Sequence, residues 1–195
     1  RGQQTAAFLV RDNFRHRRDI EQAYLAAIAT ARDNILLANA YFLPGRRFRR
    51  ALYRAARRGV KVVILLQGQV EYRLLHYATQ ALYGRMLSAG IRIFEYRRGF
   101  LHAKVAVIDR YWATVGSSNI DPFSLLLARE ANVVVQDRSF AEELRRSLGL
   151  EMRDGAQELR ADRWQRLPWH SRLLRWASYS LVRMFVGLVG YSGRH

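Results

Sequence analysis

No cysteine occurs in the 195 residues, which excludes disulfides, thiolate metal sites and a cysteine nucleophile and leaves a reducing compartment open. Lysine is nearly absent too. Lys61 and Lys104 are the two lysines among 33 basic residues, so arginine serves wherever any positive charge suffices. Acidic residues number 16, and none follows Asp162. The formal net charge of +17 predicts attraction to a polyanion, with nucleic acid and anionic lipid both eligible. No zinc-ligand spacing, helix-turn-helix text or base-reading module is found. A signal peptide is not expected, because charged residues 11–21 soon follow the short apolar run at 6–10. Arg1 stands where a methionine would open a complete chain, so a fragment or processed product is expected.

With half its residues hydrophobic and a quarter charged, the chain reads as globular, of a length suited to one α/β domain. Residues 5–10 read as a weak strand and 18–32 as a helix with Ile20, Tyr24, Ala27 and Ile28 on one face. Residues 35–40 and 60–66 are continuous apolar runs suited to strands covered on both sides. Between them lies an arginine-rich helix at 46–58, ended by Gly59. That strand-helix-strand spacing fits a parallel crossover. A helix at 71–88, a strand at 91–95, paired strands at 103–109 and 111–115, a strand at 130–135 and a helix at 139–148 complete the reading. The fold class expected is α/β, a mixed and mostly parallel sheet flanked by helices.

The tail differs in composition. From Trp176 to Tyr191 it is mostly apolar, interrupted by Arg183, two serines and two glycines. Such a helix rises about 24 Å, short of a hydrocarbon core about 30 Å thick. An interfacial or re-entrant element suits its tryptophans and arginines better than a span, and a helix buried against the domain or a partner is the bland alternative.

The chemistry concentrates between residues 102 and 132. In a strand, His102 and Lys104 project from one face and can reach one phosphate. Histidine can attack phosphorus or protonate a leaving oxygen, while lysine neutralises the nonbridging oxygens. Asp109 has the opposite parity and sits at the expected turn, which suits an ion pair or turn cap. Gly116 permits close backbone approach, and Ser117 and Asn119 can orient phosphate oxygens without adding charge. Glu130 and Asn132 repeat the two-residue spacing, and a carboxylate on one ring nitrogen would set the tautomer of His102.

The run HAKVAVID at 102–109 with GSSN at 116–119 resembles the histidine-lysine-aspartate signature of the phospholipase D superfamily. NAYFLPG at 39–45, RRGVKVVILLQG at 57–68, GSSNIDPFS and EANVVV at 130–135 extend the resemblance to the carboxy-terminal half of bacterial cardiolipin synthases. It covers about residues 5–150 strongly and the tail loosely. The resemblance implies one phospholipase D-like half at 1–160 and a possible membrane-interface element at 161–195. It implies a phosphatidyltransferase that needs no cofactor or metal. Phosphatidyl would pass from phosphatidylglycerol, through a phosphohistidine, to the headgroup hydroxyl of a second phospholipid. Catalytic residues would be His102, Lys104, Asp109 and Glu130, with Lys104, Ser117 and Asn119 binding phosphate, Glu130 orienting His102 and Asp109 supporting local structure. Nucleophile and general acid are both open to His102.

One such motif is present where the synthase site takes two, and His16, His76, His170 and His195 lack the companion lysine. The resemblance therefore implies a second histidine-lysine-aspartate half, upstream in the same protein or in a second copy. It also implies anionic phospholipid substrates and a peripheral place on the cytoplasmic face of a bacterial cell membrane. The alternatives are a nucleic-acid phosphodiesterase, with the arginines of 46–58 along the backbone, or another phospholipid hydrolase or transferase of the superfamily.

Overall fold

The computed structural model describes residues 4–12 and 14–192. The element order is β1 (Thr5–Arg11), α1 (Asp19–Thr30), β2 (Asn34–Asn39), α2 (Arg46–Arg57), β3 (Lys61–Gln67), α3 (Arg73–Ser88), β4 (Arg92–Tyr96) and β5 (Lys104–Ile108). There follow β6 (Trp112–Gly116), α4 (Pro122–Leu126), β7 (Glu130–Gln136), α5 (Arg138–Gly155), β8 (Ala156–Glu158), α6 (Ala161–Gln165) and α7 (Trp169–Ser192). Side chains of α7 are described to Gly187, so that of Tyr191 lies outside the described residues, as does His195.

The apolar runs build the sheet centre. Leu37, Ile64 and Ala106 point into one core, and Leu36, Leu65 and Val107 into the other, the two-sided burial that a continuous apolar strand requires. The β2–α2–β3 unit is the expected parallel crossover, registered Ile35 to Val62 and Asn39 to Leu66. Gly59 takes φ 89° just after α2, where a Cβ would be strained.

The sheet runs β1-β7-β6-β5-β2-β3-β4-β8. Here the expectation of a mostly parallel sheet is corrected. β2–β3 and β3–β4 are parallel, and the remaining five neighbour pairs are antiparallel. A run of apolar residues records that both faces are covered but not which way the neighbour points. Here β5 enters beside β2 in reverse, and β6, β7 and β1 extend that antiparallel half.

The two faces are covered unequally. Helices α1, α2, α3 and α7 contribute to the larger core, and α5 to the smaller, through Ala141 and Leu148. Beyond the reach of α5, Phe8, Val133 and Val115 form an exposed row across β1, β7 and β6. The tail helix α7 packs on α3. Its Val182 and Val186 join the larger core, while Trp169, Leu173, Trp176 and Phe185 face outward. No helix among the described residues is long and apolar enough to cross a membrane.

Asp109 sits in the β5–β6 turn at φ 53°, a region that Asp and Asn tolerate best after glycine. Its carboxylate accepts from the backbone N–H groups of Arg32 (3.0 Å), Asp33 (2.9 Å) and Asn34 (3.0 Å). Burial alone would raise its pKa. The three N–H donors and Arg145 outweigh that and leave it below the ordinary carboxylate value. The folded state therefore holds the Asp109 proton less tightly than the unfolded chain, and the stability it adds is lost as pH falls below the ordinary range toward the depressed value. Asp109→Asn keeps the turn conformation and removes the charge. We expect about 2 kcal/mol less stability at neutral pH and a flatter acid limb, both measured by urea titration across pH.

Candidate active site

Lys104 opens β5 directly opposite Asn39, the last residue of β2. Asn39 is fully buried. Its side-chain oxygen accepts from the Ile120 N–H at 3.0 Å and its amide donates to the Ala38 carbonyl at 2.6 Å. This ties the end of β2 to the segment after β6. At the same edge, Gly116 ends β6 opposite Asn132 of β7. A Cβ on Gly116 would lie 2.3 Å from Asn132 Oδ1 and 2.5 Å from the Ala131 carbonyl oxygen, so only glycine lets the two strands close.

The following residues are held one by one. Ser117 accepts from the Ala131 N–H at 3.0 Å, and its hydroxyl donates to Glu130. Asn119, 7 % exposed, accepts from the Tyr41 N–H through Oδ1 at 3.2 Å, which leaves its NH₂ without a protein partner among the described residues. Asp121 caps α4, accepting from the N–H groups of Phe123 (2.8 Å) and Ser124 (3.0 Å). Burial pushes its pKa above the ordinary value despite those bonds. Arg11, buried at the end of β1, donates to the carbonyls of Leu126 and Ala128, just ahead of Glu130.

Around these groups the two central side chains differ sharply. Lys104 is 9 % exposed and its ammonium donates to the His102 carbonyl at 3.2 Å. No carboxylate lies within ion-pair distance among the described residues. Burial lowers its pKa, while the charges of Glu130, Asp121 and Glu71 act to raise it. Its ammonium lies in the field of three acids and is bonded to none of them, with donor capacity to spare. His102 lies ahead of the strand rather than in it and is exposed. Its ring makes no hydrogen bond among the described residues. The alternation argument therefore does not set its direction, and the Glu130 carboxylate sits on Ser117 rather than on the imidazole.

The geometry thus gathers Lys104, Ser117, Asn119 and Glu130 at one sheet edge with His102 beside them. It sends the carboxylate of Asp109 to the backbone of residues 32–34, beyond the other end of β5. Sequence reasoning missed Arg11, Asn39 and Asp121. Asn39 and Asp121 stand within segments already singled out, and a buried polar residue at a strand end was the available signal. Arg11 gave none among so many arginines. A small pocket beside the site was also missed. Tyr41, Gln67, Glu71, Tyr72 and His76 line it, and Gln67 accepts from the Leu101 N–H at 3.3 Å, next to His102. Tyr41 donates to Glu71, and burial first, then Glu71, raises its pKa. No three His, Asp or Glu side chains among the described residues converge as metal ligands would.

A buried cation with no ion-pair partner among the described residues thus lies beside an exposed histidine at one end of the central strands. Comparison with known proteins gives that arrangement a family. Residues 24–149 match the family described as cardiolipin synthase, PLD-like domain, and the chain belongs to it. Cardiolipin synthase B of Escherichia coli strain K12 is 40 % identical over 194 residues, an alignment spanning 100 % of this chain and 47 % of that protein. The chain thus spans about half the length of the curated relatives it matches. Among solved structures, the phospholipase D family member Nuc from Salmonella typhimurium aligns with TM-score 0.67 at 19 % identity, covering 81 % of this chain and 99 % of that one. The phosphatidylserine synthase of Haemophilus influenzae Rd KW20 aligns with TM-score 0.74 at 14 % identity, covering 96 % of this chain and 47 % of that one. The fold occurs both as nearly a whole chain and as about half of a longer one.

Proposed function

We propose that this chain forms one half of the active site of a cardiolipin-synthesising phosphatidyltransferase. The observation that carries the reading is Lys104: buried, within the field of Glu130, Asp121 and Glu71 but paired with none of them among the described residues, and two residues from an unencumbered histidine. Family membership supports it, and so does the name of the relatives that share 40 % identity.

In the proposed reaction a histidine ring nitrogen attacks the phosphorus of phosphatidylglycerol. A P–N bond forms, and the P–O bond to glycerol breaks as a second histidine delivers its proton to the departing oxygen. The headgroup hydroxyl of another phospholipid then attacks the phosphohistidine, the P–N bond breaks, and the second histidine takes up the hydroxyl proton. Cardiolipin and glycerol result, with no net proton change. His102 supplies one of the two histidines. Lys104 and the free NH₂ of Asn119 hold the nonbridging oxygens as charge develops on them. Ser117 joins them once phosphate draws its hydroxyl from Glu130, and the released carboxylate is then available to orient His102. Asp109 serves the framework. The second histidine-lysine-aspartate half comes from the same protein or a second copy, since His16, His76 and His170 have no such setting. The arginine excess and the outward tryptophans of 161–195 support a peripheral position at the cytoplasmic face of a bacterial membrane.

The test is mass-resolved product analysis of the intact parent protein mixed with phosphatidylglycerol vesicles and EDTA. Cardiolipin plus glycerol supports the proposal. Phosphatidic acid alone assigns hydrolysis instead. No lipid product from folded protein, with cleavage of DNA or RNA, assigns the site to nucleic-acid phosphodiesters.

A further inference from the structure

Between α3 and α7 runs a groove of about 520 Å³ that shares no residue with the His102 site. Trp164 forms one wall: its ring lies 5.1 Å from that of Tyr83, and it packs against Gly84, where a Cβ would sit 3.4 Å from its Cδ1. Arg175 lies over the same indole at 5.2 Å, donates through Nε to Gln80 at 2.9 Å, and donates through Nη1 to the Ser171 carbonyl at 2.8 Å. Arg85 and Arg172 bring two more guanidiniums, both exposed and without an ion pair among the described residues. No acidic side chain among the described residues lines the groove.

Three cations gathered in a concavity repel one another, and neither a helix-packing role nor a solvated face requires that convergence. The Arg175 fork is already oriented by Gln80 and the indole, so little freedom is lost when a phosphate meets its remaining N–H groups. Trp176, 63 % exposed, forms the rim, and Trp169 and Leu173, at i, i+4, i+7 spacing with it, continue outward as an exposed apolar strip on α7. Tryptophan beside arginine at the edge of an apolar strip is the arrangement that places indoles among headgroups while guanidiniums take phosphates. A free phosphate would account for the arginines but not for the strip. An anionic phospholipid accounts for both.

We propose that the α3–α7 groove binds the phosphodiester headgroup of an anionic phospholipid in the membrane surface, as a docking site separate from the catalytic one. It shares the lipid-surface reading of the protein but not its chemistry, so binding is measured on the intact protein carrying His102→Ala.

In that background, Arg85→Gln with Arg172→Gln removes the groove's two exposed cations. Arg138→Gln with Arg146→Gln, exposed on α5 across the sheet, makes the same charge change elsewhere. Flotation with phosphatidylcholine vesicles, with and without phosphatidylglycerol, reads the affinity. The groove pair is expected to weaken binding to phosphatidylglycerol vesicles at least about tenfold more than the α5 pair, since a headgroup-contacting arginine contributes about fivefold and a distant one far less. Trp176→Ala is expected to weaken it as well. Equal losses from the two arginine pairs would overturn the proposal in favour of diffuse attraction. So would a groove pair that loses binding of inorganic phosphate yet keeps full binding to phosphatidylglycerol vesicles, since the site would then be one for free phosphate.

Discussion

Replacing His102 with alanine in the intact protein is expected to lower turnover about 10³-fold or more, whether it acts as nucleophile or as acid. The thermal midpoint should stay put, because the side chain is exposed and its ring bonds to nothing described. That separation makes the experiment clean. A drop in product formation with an unchanged melting curve assigns His102 to the chemistry. Turnover above about a tenth of the parent's would remove it, since even modest acid–base catalysis is worth more than that. Mixing intact enzyme with radiolabelled phosphatidylglycerol and quenching in alkali, where phosphohistidine survives, separates the two roles. Label retained by the parent and lost with His102→Ala marks His102 as the nucleophile. Label retained by both marks it as the acid.

Lys104→Gln is the second large effect, expected to cost about 10²- to 10³-fold in kcat/KM, the scale on which a single stabilising donor at a developing oxyanion acts. Glutamine approximates the stem and keeps a donor while removing the charge. The substitution also relieves the desolvation that lowers the lysine pKa, so stability should change by less than about 1 kcal/mol. Lys104→Arg should not restore activity. The site encloses all but 9 % of the residue, and a guanidinium is a wide planar fork where the ammonium is compact. Steady-state kinetics on vesicles with urea titrations of each variant checks both halves of the expectation, and an active Lys104→Arg would show that charge alone is enough.

The legible parts of the fold were those written in local pattern. β2 and β3 declared themselves as unbroken apolar runs, and Gly59 marked the end of α2 because a left-handed backbone was needed there. Strand direction is settled by pairing across the sheet, and nothing in NILLAN or KVAVI says that β2 and β5 will lie side by side in opposite senses. α5 runs to Gly155, past the end expected at 148 and through Gly149. A glycine costs a helix about 1 kcal/mol, and the stripe of Ala141, Leu144, Leu148 and Met152 continues on the same face past it. β8 is three residues long, with only Ala156 partly buried, too short to carry a period.

The site divides in the same way. Lys104, Ser117, Asn119 and Glu130 stood out because side-chain type and spacing implied phosphate. Their bonds did not, since Ser117 meets Glu130 across two strands. Asn39 and Asp121 bind backbone around the site, a role settled only when distant segments meet.

Arg11 has a consequence in time. It belongs to β1, made well before the segment it holds: its guanidinium reaches the carbonyl of Ala128, 117 residues later, and its strand pairs with β7 from Thr5–Gln136 to Arg11–Glu130. While the ribosome makes the intervening chain, β1 lacks its β7 partner, and the loop that leads into Glu130 does not yet exist. The local crossovers can form as they emerge, but the end of the sheet carrying the chemistry closes late, across one of the longest loops in the chain. Such non-local closure slows folding. The reactive edge is thus withheld until most of the domain is already in place.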